Sequence, residues 1–202
     1  APKSQWTVHN ATLIGRGKSA TGFGGGVAWN ARDEAAPNII NSIVAEFPVG
    51  VLIDNDGVAE FTSGLADLRN SIFDVTAGPS AANANANILF SDAARANAVG
   101  AAGLGGISYT NNLVLNPRPQ AGSPALANVA AQGAGLTTTT YRGAFGTNDQ
   151  WALKWTALYQ LGYLQGTWTG SGPVIPVAPE LVIAIAAGNV TLTFTGQAGV
   201  TY

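Results

Sequence analysis

An asparagine recurs along the chain in front of short runs of aliphatic residues, and its spacing constrains the fold more than any other feature. Each is followed by one or two small or polar residues and then by Ile, Leu or Val, at Asn10, Asn41, Asn70 and Asn111. The intervals are 31, 29 and 41 residues, and periods of this size are typical of stacked supersecondary units. In a parallel β-solenoid, equivalent residues of successive coils lie on top of one another, about 4.8 Å apart.

We therefore predict an all-β fold, a short right-handed parallel β-helix (β-solenoid) of about three or four coils. The four asparagines would form a ladder, because an Asn at the same turn of each coil can pass amide hydrogen bonds to the next coil. The aliphatic residues that follow would fill the interior. The alternative is a chance recurrence of Asn before the strands of another kind of β protein.

Two motifs in the second half of the chain resemble those of a known family. They are QAGSPAL at 120–126 and YRGAF at 141–145. Together with the Asn-Ser-Ile segments, they resemble the C-terminal part of secreted bacterial right-handed parallel β-helix proteins of the pectate-lyase-like fold, over roughly residues 6–165. The resemblance implies this fold and a secreted, extracellular or cell-surface bacterial protein, and it assigns no activity.

The chain divides into three predicted regions. They are a parallel β-helix of residues 1–165, a Gly/Pro-rich linker of residues 166–179, and a C-terminal β-hairpin or strand-exchange arm of residues 180–202. A capping helix is expected near 148–162, because apolar residues recur there at helical spacing. The residues of this stripe are Trp151, Trp155 and Leu158.

The expected C-terminal hairpin alternates apolar and polar residues, as a half-buried strand does. A two-stranded hairpin is marginally stable alone in water, so we expect it to pair with its own chain or with another molecule. The apolar residues expected to bind in such an assembly arm are Leu181, Ile183, Ile185, Val190, Leu192 and Phe194.

Charge is scarce and limits the classes of partner. Only 10% of the 202 residues are charged and the net charge is −2, whereas about 25% is usual. This composition gives no electrostatic footprint for nucleic acid. The longest late apolar run, residues 181–187, is far shorter than the ~20 residues that span a bilayer, so membrane insertion is not expected.

Residues that could carry catalysis or bind a metal are few. The chain has no cysteine and one histidine, His9, so one chain cannot form a histidine-rich metal site, and a Ser-His-Asp triad would depend wholly on His9. Asp54 and Asp56 open a segment that resembles the start of a calcium loop, but Val58 stands at the next ligand position. We predict a β-turn there, with Ca²⁺ as a weak candidate, no other cofactor and no catalytic residue.

These observations favour an extracellular structural protein, a self-assembling subunit of a filament or surface layer that uses solenoid stacking and C-terminal strand addition. A homo-oligomer or homopolymer is the expected assembly. The alternative is a carbohydrate-binding or adhesive module of a larger exported protein, and a polysaccharide lyase is the third possibility.

The carbohydrate alternative depends on aromatic side chains that could stack on a glycan. Those expected on the coil faces are Trp6, Trp29, Tyr109 and Tyr141. Those expected in the core, because they follow the helical spacing, are Trp151, Trp155 and Tyr159.

Overall fold

A computed structural model describes residues 3–21, 26–76, 84–109 and 114–164 with their side chains. It also describes the backbone of residues 180–186 and 189–195. The predicted linker 166–179 and Asn111 lie outside the described residues.

Short strands make up most of the first half of the chain. In chain order they are β1 (Gln5–His9), β2 (Thr12–Ile14), β3 (Val27–Ala31), β4 (Ala36–Ile40), β5 (Ile43–Phe47), β6 (Val49–Ile53), β7 (Asp67–Arg69) and β8 (Ile72–Val75). The helix α1 (Asn55–Thr62) lies between β6 and β7.

The second half has less regular structure. Its elements are α2 (Ile88–Ser91), β9 (Ala98–Val99), β10 (Leu104–Gly106), β11 (Asn116–Pro119), α3 (Ala157–Gln160), β12 (Glu180–Ala186) and β13 (Asn189–Thr195). Single 3-10 turns occur at Ala84–Asn87, Ala93–Arg95 and Pro124–Leu126.

The strands of the first half pair in parallel. The sheets have the orders β1-β4-β7, β2-β5-β8-β9 and β3-β6. Within each sheet, neighbouring strands are separated by about thirty residues of sequence or fewer. Two further pairs, β10-β11 and β12-β13, are antiparallel. The spacing of the asparagines is therefore the spacing between paired strands in the first two sheets.

The prediction of an all-β solenoid of three or four coils is wrong. The structure is 18% helical and 32% strand, with short parallel sheets of two to four strands, none of them closed. Within the described residues the pattern of three successive strands is completed twice, and helical residues 84–91 then lie beside β6, where Asn85 donates to the carbonyl of Ile53. After β9 the chain turns back over the outer face of β5 and β8, where Ala102 and Ala125 pack against Ile43.

The main core lies between the three parallel sheets, α1 and α2. Val44 and Phe73 belong to the sheet β2-β5-β8-β9, which we call the central sheet, and they point into this core. There they meet Ile39, Leu68 and Val51 from the other two parallel sheets. The opposite side of the central sheet is also covered, so Ile43, Val44 and Ala45 are all buried in succession. Burial on both faces explains why β5 is a continuous apolar run instead of an alternating one.

The helix α1 replaces the β-turn predicted at residues 54–57. Asp54 stands at its N-cap with extended backbone angles, and Asp56 places a negative charge in the first turn, where the helix dipole favours it. Burial of Glu60 and Phe61 fixes the helix against the sheets. Asp and Asn are common both in β-turns and at helix N-termini. Burial of Phe61 favours the helix here.

The capping helix predicted near 148–162 is also wrong. Residues 151–155 form turns, and only α3 is helical. Lys154 has a φ of 74°, and Thr156 has extended angles and caps α3 by accepting from the amide of Tyr159. A continuous helix would bury the predicted apolar stripe, but Trp155 and Leu158 are instead exposed.

The repeated asparagines lie at the corner between the first two sheets. Asn10, Asn41 and Asn70 have φ values of 55°, 54° and 49°, in the left-handed region that asparagine tolerates better than most residues. Each of them turns the chain from a strand of the first sheet into a strand of the second. The recurrence of Asn in the sequence therefore reflects a recurrent backbone turn.

The amides of these asparagines do not bond to one another as the predicted ladder requires. They donate instead to backbone carbonyls of a covering segment, which we call the strap and define as residues 128–143: Asn10 to Tyr141 and Gly143, Asn41 to Ala130, and Asn70 to Asn128. The bonds between successive turns come from the next residue. The hydroxyl oxygens of Ser42 and Ser71 accept from the amides of Ala11 and Ser42, at 3.2 and 3.1 Å.

Replacement of Asn41 tests both roles of the corner. Asn41 is fully buried, and it exchanges two hydrogen bonds with the backbone of Ala130, at 2.9 and 2.8 Å. We expect Asn41→Gly to lower the free energy of unfolding by about 1–3 kcal/mol, because it leaves buried backbone groups unbonded. Asn41→Ala adds a left-handed strain of about 1–2 kcal/mol. Denaturant titration measures both changes.

Asn38→Ala is the matched control, since Asn38 lies on the neighbouring strand β4 and makes one long bond of 3.4 Å to the carbonyl of Leu65. We expect a change within about 0.5 kcal/mol, as for most surface substitutions. Equal losses from Asn41→Gly and Asn38→Ala would contradict the role of the corner.

Candidate functional site

One end of the three parallel sheets has strand edges without a partner among the described residues. The strands β1, β2 and β3 are each first in their sheet, and each pairs on one side only. In β1 the bonds to β4 come from alternate residues, because Ser4 accepts from Ala36 and Asn10 donates to Ile40. The backbone groups of Gln5, Thr7 and His9 therefore point away from the sheet.

Two tryptophans lie at the same end. The ring centroids of Trp6 and Trp29 are 5.9 Å apart, with the planes tilted by 34°. They cover a small cavity of about 20 Å³ whose other walls include the core residues Ile39, Val51 and Phe61. Trp6 is 39% exposed, so the apolar interior reaches the surface at this point. We call this end, formed by β1, β3, Trp6 and Trp29, the open edge.

The opposite end of the sheets is closed by the helical segment 84–97. Arg95 forms an ion pair with Asp67 on β7. Asn97 donates to the carbonyls of Leu68 and Leu89, at 2.7 and 2.8 Å. Together with the bond from Asn85 to Ile53 of β6, these contacts give partners to backbone groups of the strands at this end. Backbone groups of β1 at the open edge have no such partner among the described residues.

The chain before β1 is fixed by charge. Lys3 forms ion pairs with Glu60 of α1 and, at 3.6 Å, with Glu34. The hydrogen bond that Lys3 donates to Glu60 raises the pKa of Lys3 above its ordinary value. Glu60 is buried, so Lys3 supplies the positive charge that a buried carboxylate requires. The position of β1 is thereby tied to the core.

A second unusual surface carries three stacked aromatic rings, which we call the aromatic column. Phe145 stacks on Trp151 at 5.2 Å with planes 5° apart, and Trp151 stacks on Trp155 at 5.8 Å with planes 25° apart. The indole N–H of Trp151 donates to Ala144, and that of Trp155 donates to the carbonyl of Trp151, both at 2.7 Å. The column is therefore held in one orientation, and Trp155 at its outer end is 53% exposed.

The expectation that Trp151, Trp155 and Tyr159 lie in the core is wrong, since all three are exposed. Their neighbours Leu158 and Leu161 are exposed as well. Exposed apolar residues grouped in this way often mark an interaction surface. The sequence signal that could have found it is Thr156, whose capping side chain interrupts the helix that would have buried these residues.

A pocket of about 380 Å³ lies between β2 and the segment that contains Leu158. Its lining is mainly apolar, and it consists of Ile14, Ile107, Ser108, Tyr109, Leu115, Leu158 and Tyr163. The hydroxyl of Tyr109 donates to the carbonyl of Gly15 at 2.6 Å. Burial of this hydroxyl, with the nearby negative charge of Glu46, raises the pKa of Tyr109 to about 12.

The other residues named from the sequence are not brought together. Asp54 and Asp56 lie at the start of α1, and no group of three or more His, Cys, Asp or Glu residues that could hold a metal exists within the described parts of the chain. His9 lies on β1, where its Nδ1 is buried and has no hydrogen-bond partner among the described residues. Tyr141 lies on the strap, where its carbonyl accepts from Asn10 and its hydroxyl donates to Asp149 at 3.4 Å.

The C-terminal hairpin has the predicted strands, and its backbone register is regular. The six apolar residues of the predicted arm form three cross-strand pairs: Leu181 with Phe194, Ile183 with Leu192, and Ile185 with Val190. The hairpin is a two-stranded antiparallel sheet.

Comparison of the chain with protein-family models, with curated proteins and with solved structures finds no match. The resemblance to secreted bacterial β-helix proteins stays a prediction. In the portion of the chain with a described structure, no helix has the length and apolar composition to cross a membrane.

The raised pKa of Tyr109 gives a test by pH. The folded protein favours the neutral phenol, so this stabilisation is complete below the ordinary pKa of about 10 and disappears as pH rises through about 12. We expect the free energy of unfolding to fall more steeply between these pH values in the native protein than in Tyr109→Phe, measured by denaturant titration at each pH.

Lysines titrate in the same range, but they are common to both proteins and cancel in the difference. Parallel curves for the native protein and the variant would show that the Tyr109 hydroxyl is not held as described.

Proposed function

We propose that this protein is a non-catalytic structural module that associates with further copies of itself through the open edge. The observation that carries the proposal is the free side of β1, where backbone groups that have no partner among the described residues lie beside the partly exposed Trp6. An extracellular location and a homo-oligomeric state are parts of the same proposal.

An added strand would meet two needs of the open edge at once. Unpaired N–H and C=O groups of an edge strand are a template for another strand, and main-chain bonds supply much of the affinity in strand addition. A strand placed beside β1 would accept from and donate to Gln5, Thr7 and His9. It would also cover the rings of Trp6 and Trp29, so apolar burial would add to the hydrogen bonds.

Charge does not oppose such an association. The charged groups near the open edge are already engaged within the chain, since Lys3 pairs with Glu34 and Glu60, and Arg32 pairs with Asp33. The strand β1 itself contains no Asp, Glu, Lys or Arg. Charged residues on an edge are a common device against unwanted pairing, and β1 does not use it.

The closed end has a consequence for the form of the assembly. Segment 84–97 covers the far end of the sheets, so the open edge of one copy cannot pair with the far end of the next copy. A contact between two open edges gives a closed dimer. A filament requires a second, different contact. The hairpin β12-β13 is the candidate for it, since its outer edges could donate a strand to a neighbour.

Support for a non-catalytic role comes from the distribution of ionisable groups. In the described residues, Asp67, Asp74 and Glu60 each form ion pairs with a base on another element. They therefore hold the fold together instead of converging on a cleft as acid and base.

Thr7→Pro tests the open edge. The amide of Thr7 points away from β4, so proline removes a donor at the edge without removing a bond to β4, and proline is tolerated at such positions. We expect the native protein to dimerise or to form larger species in sedimentation experiments. Thr7→Pro should weaken this association at least ~tenfold, through one lost hydrogen bond and a steric block.

Thr7→Val is the matched control, because it keeps the amide and should associate within about twofold of the native protein. Circular dichroism shows whether each variant folds. A native protein that stays monomeric at high concentration, or a folded Thr7→Pro that associates like Thr7→Val, would reject the proposal.

Binding of a neutral glycan is the second candidate function, and the aromatic column favours it. The exposed ring of Trp155 is fixed by its hydrogen bond and by stacking, so little conformational freedom is lost when a ligand packs on it. The C–H face of a sugar ring carries slight positive charge and suits the negative face of an indole. The low charge of the chain agrees with a neutral ligand.

Trp155→Ala tests this second function. We expect the native protein to bind neutral oligosaccharides in fluorescence titrations, and Trp155→Ala to lose at least ~tenfold in affinity, the effect of a lost aromatic contact of about 1.4 kcal/mol. The control is Leu161→Ala, which removes an exposed apolar side chain outside the column. No binding by the native protein, or equal losses in both variants, would reject the glycan.

A further inference from the structure

Arg142 is a buried cation with an unusual environment. It is 1% exposed and is the largest of the fully buried side chains among the described residues. Its backbone is fixed on both sides, because its amide donates to Ala125 at 2.8 Å and the amide of Gly143 donates to Asn41 at 2.6 Å. The position of its guanidinium is therefore determined by the fold.

Most of the hydrogen-bonding capacity of this guanidinium is unused within the described chain. Nη2 donates to the carbonyl of Pro124. Nε and Nη1 are both buried, and neither has a hydrogen-bond partner in the parts of the chain that are described. Ion pairs with carboxylates involve other bases of that part of the chain, and Arg142 takes part in none of them.

The contrast with the other deeply buried charge is informative. Glu60 is 2% exposed, and it has Lys3 as a partner. Buried charges in proteins are paired or bind ions, and a buried polar group without a partner points to an ordered water or an ion. Arginine stays protonated in proteins, so its charge cannot be removed by losing a proton at neutral pH.

We propose that Arg142 binds a small monovalent anion of chloride size, held by Nε or Nη1 next to the 3-10 turn Pro124–Leu126. The near-complete burial of the side chain excludes a bulky ligand, and a single negative charge balances the guanidinium. Burial alone already lowers the pKa of Arg142, which agrees with a site that has no protein carboxylate. This site is independent of the proposed self-association.

The position of the anion would give it a structural effect. Arg142 belongs to the strap, whose carbonyls accept from the corner asparagines, and its Nη2 bond joins the strap to Pro124. An anion on the same guanidinium would stabilise the strap and therefore the corner. The expected property is a folded state whose stability depends on the anion present.

Thermal unfolding at constant ionic strength, with chloride exchanged for the bulky gluconate ion, tests the site. We expect the midpoint of the native protein to rise by roughly 3–5 °C for each tenfold increase in chloride above its dissociation constant. Arg142→Met should lose this dependence. Arg16→Met should keep it, because Arg16 is an exposed arginine that forms no ion pair in the described residues.

If Arg142→Met does not fold, a crystal of the native protein grown in bromide still tests the proposal. We expect an anomalous peak within hydrogen-bonding distance of Nε or Nη1. A water at that place without an anomalous signal would overturn the proposal, and so would a chloride effect that Arg142→Met and Arg16→Met share equally.

Discussion

The left-handed turn at each corner asparagine is the constraint on which the rest of the structure depends. A chain that leaves the first sheet at Asn10, Asn41 or Asn70 must turn sharply to enter the second, and asparagine adopts the required angles at lower cost than a residue such as alanine. The turn also places the hydroxyl of the following serine, Ser42 or Ser71, where it accepts from an amide of the preceding turn. Parallel register, burial of the central sheet and attachment of the strap all follow from this repeated geometry.

The recurrence of asparagine predicted where the chain turns, and it did not predict the partners of the amides. The spacing of 31 and 29 residues is visible in the sequence, but the carbonyls that the amides bond to lie on the strap, 58 to 133 residues away. Single-sequence patterns carry information about local periodicity, and such distant contacts are decided by tertiary packing. The serine bonds had a local signal, since Ser follows Asn at two of the corners.

A helix formed where a β-turn was expected, and no long helix formed where one was expected, for the same reason. Residues 54–57 have turn chemistry, yet the burial of Phe61 makes them the first turn of α1. Residues 151–158 have helical spacing, yet the strongly exposed Trp155 shows that no surface buries the stripe. The alternating hairpin strands were predictable because their pattern is local. The free edge of β1, the exposed column and the isolated guanidinium of Arg142 are properties of the assembled fold, and no local pattern in the sequence predicted them.

Contact between the strap and the first corner has a consequence for the order of folding. Asn10 bonds to Thr139, Tyr141 and Gly143, at separations of 129 to 133 residues, and closing such long loops costs entropy before any bond compensates for it. During synthesis the first strands leave the ribosome long before residue 143 exists, so the corner amides must remain bonded to water. A segment that is made late in synthesis thus fastens the first strands, and completion of the fold is delayed until translation has passed the strap.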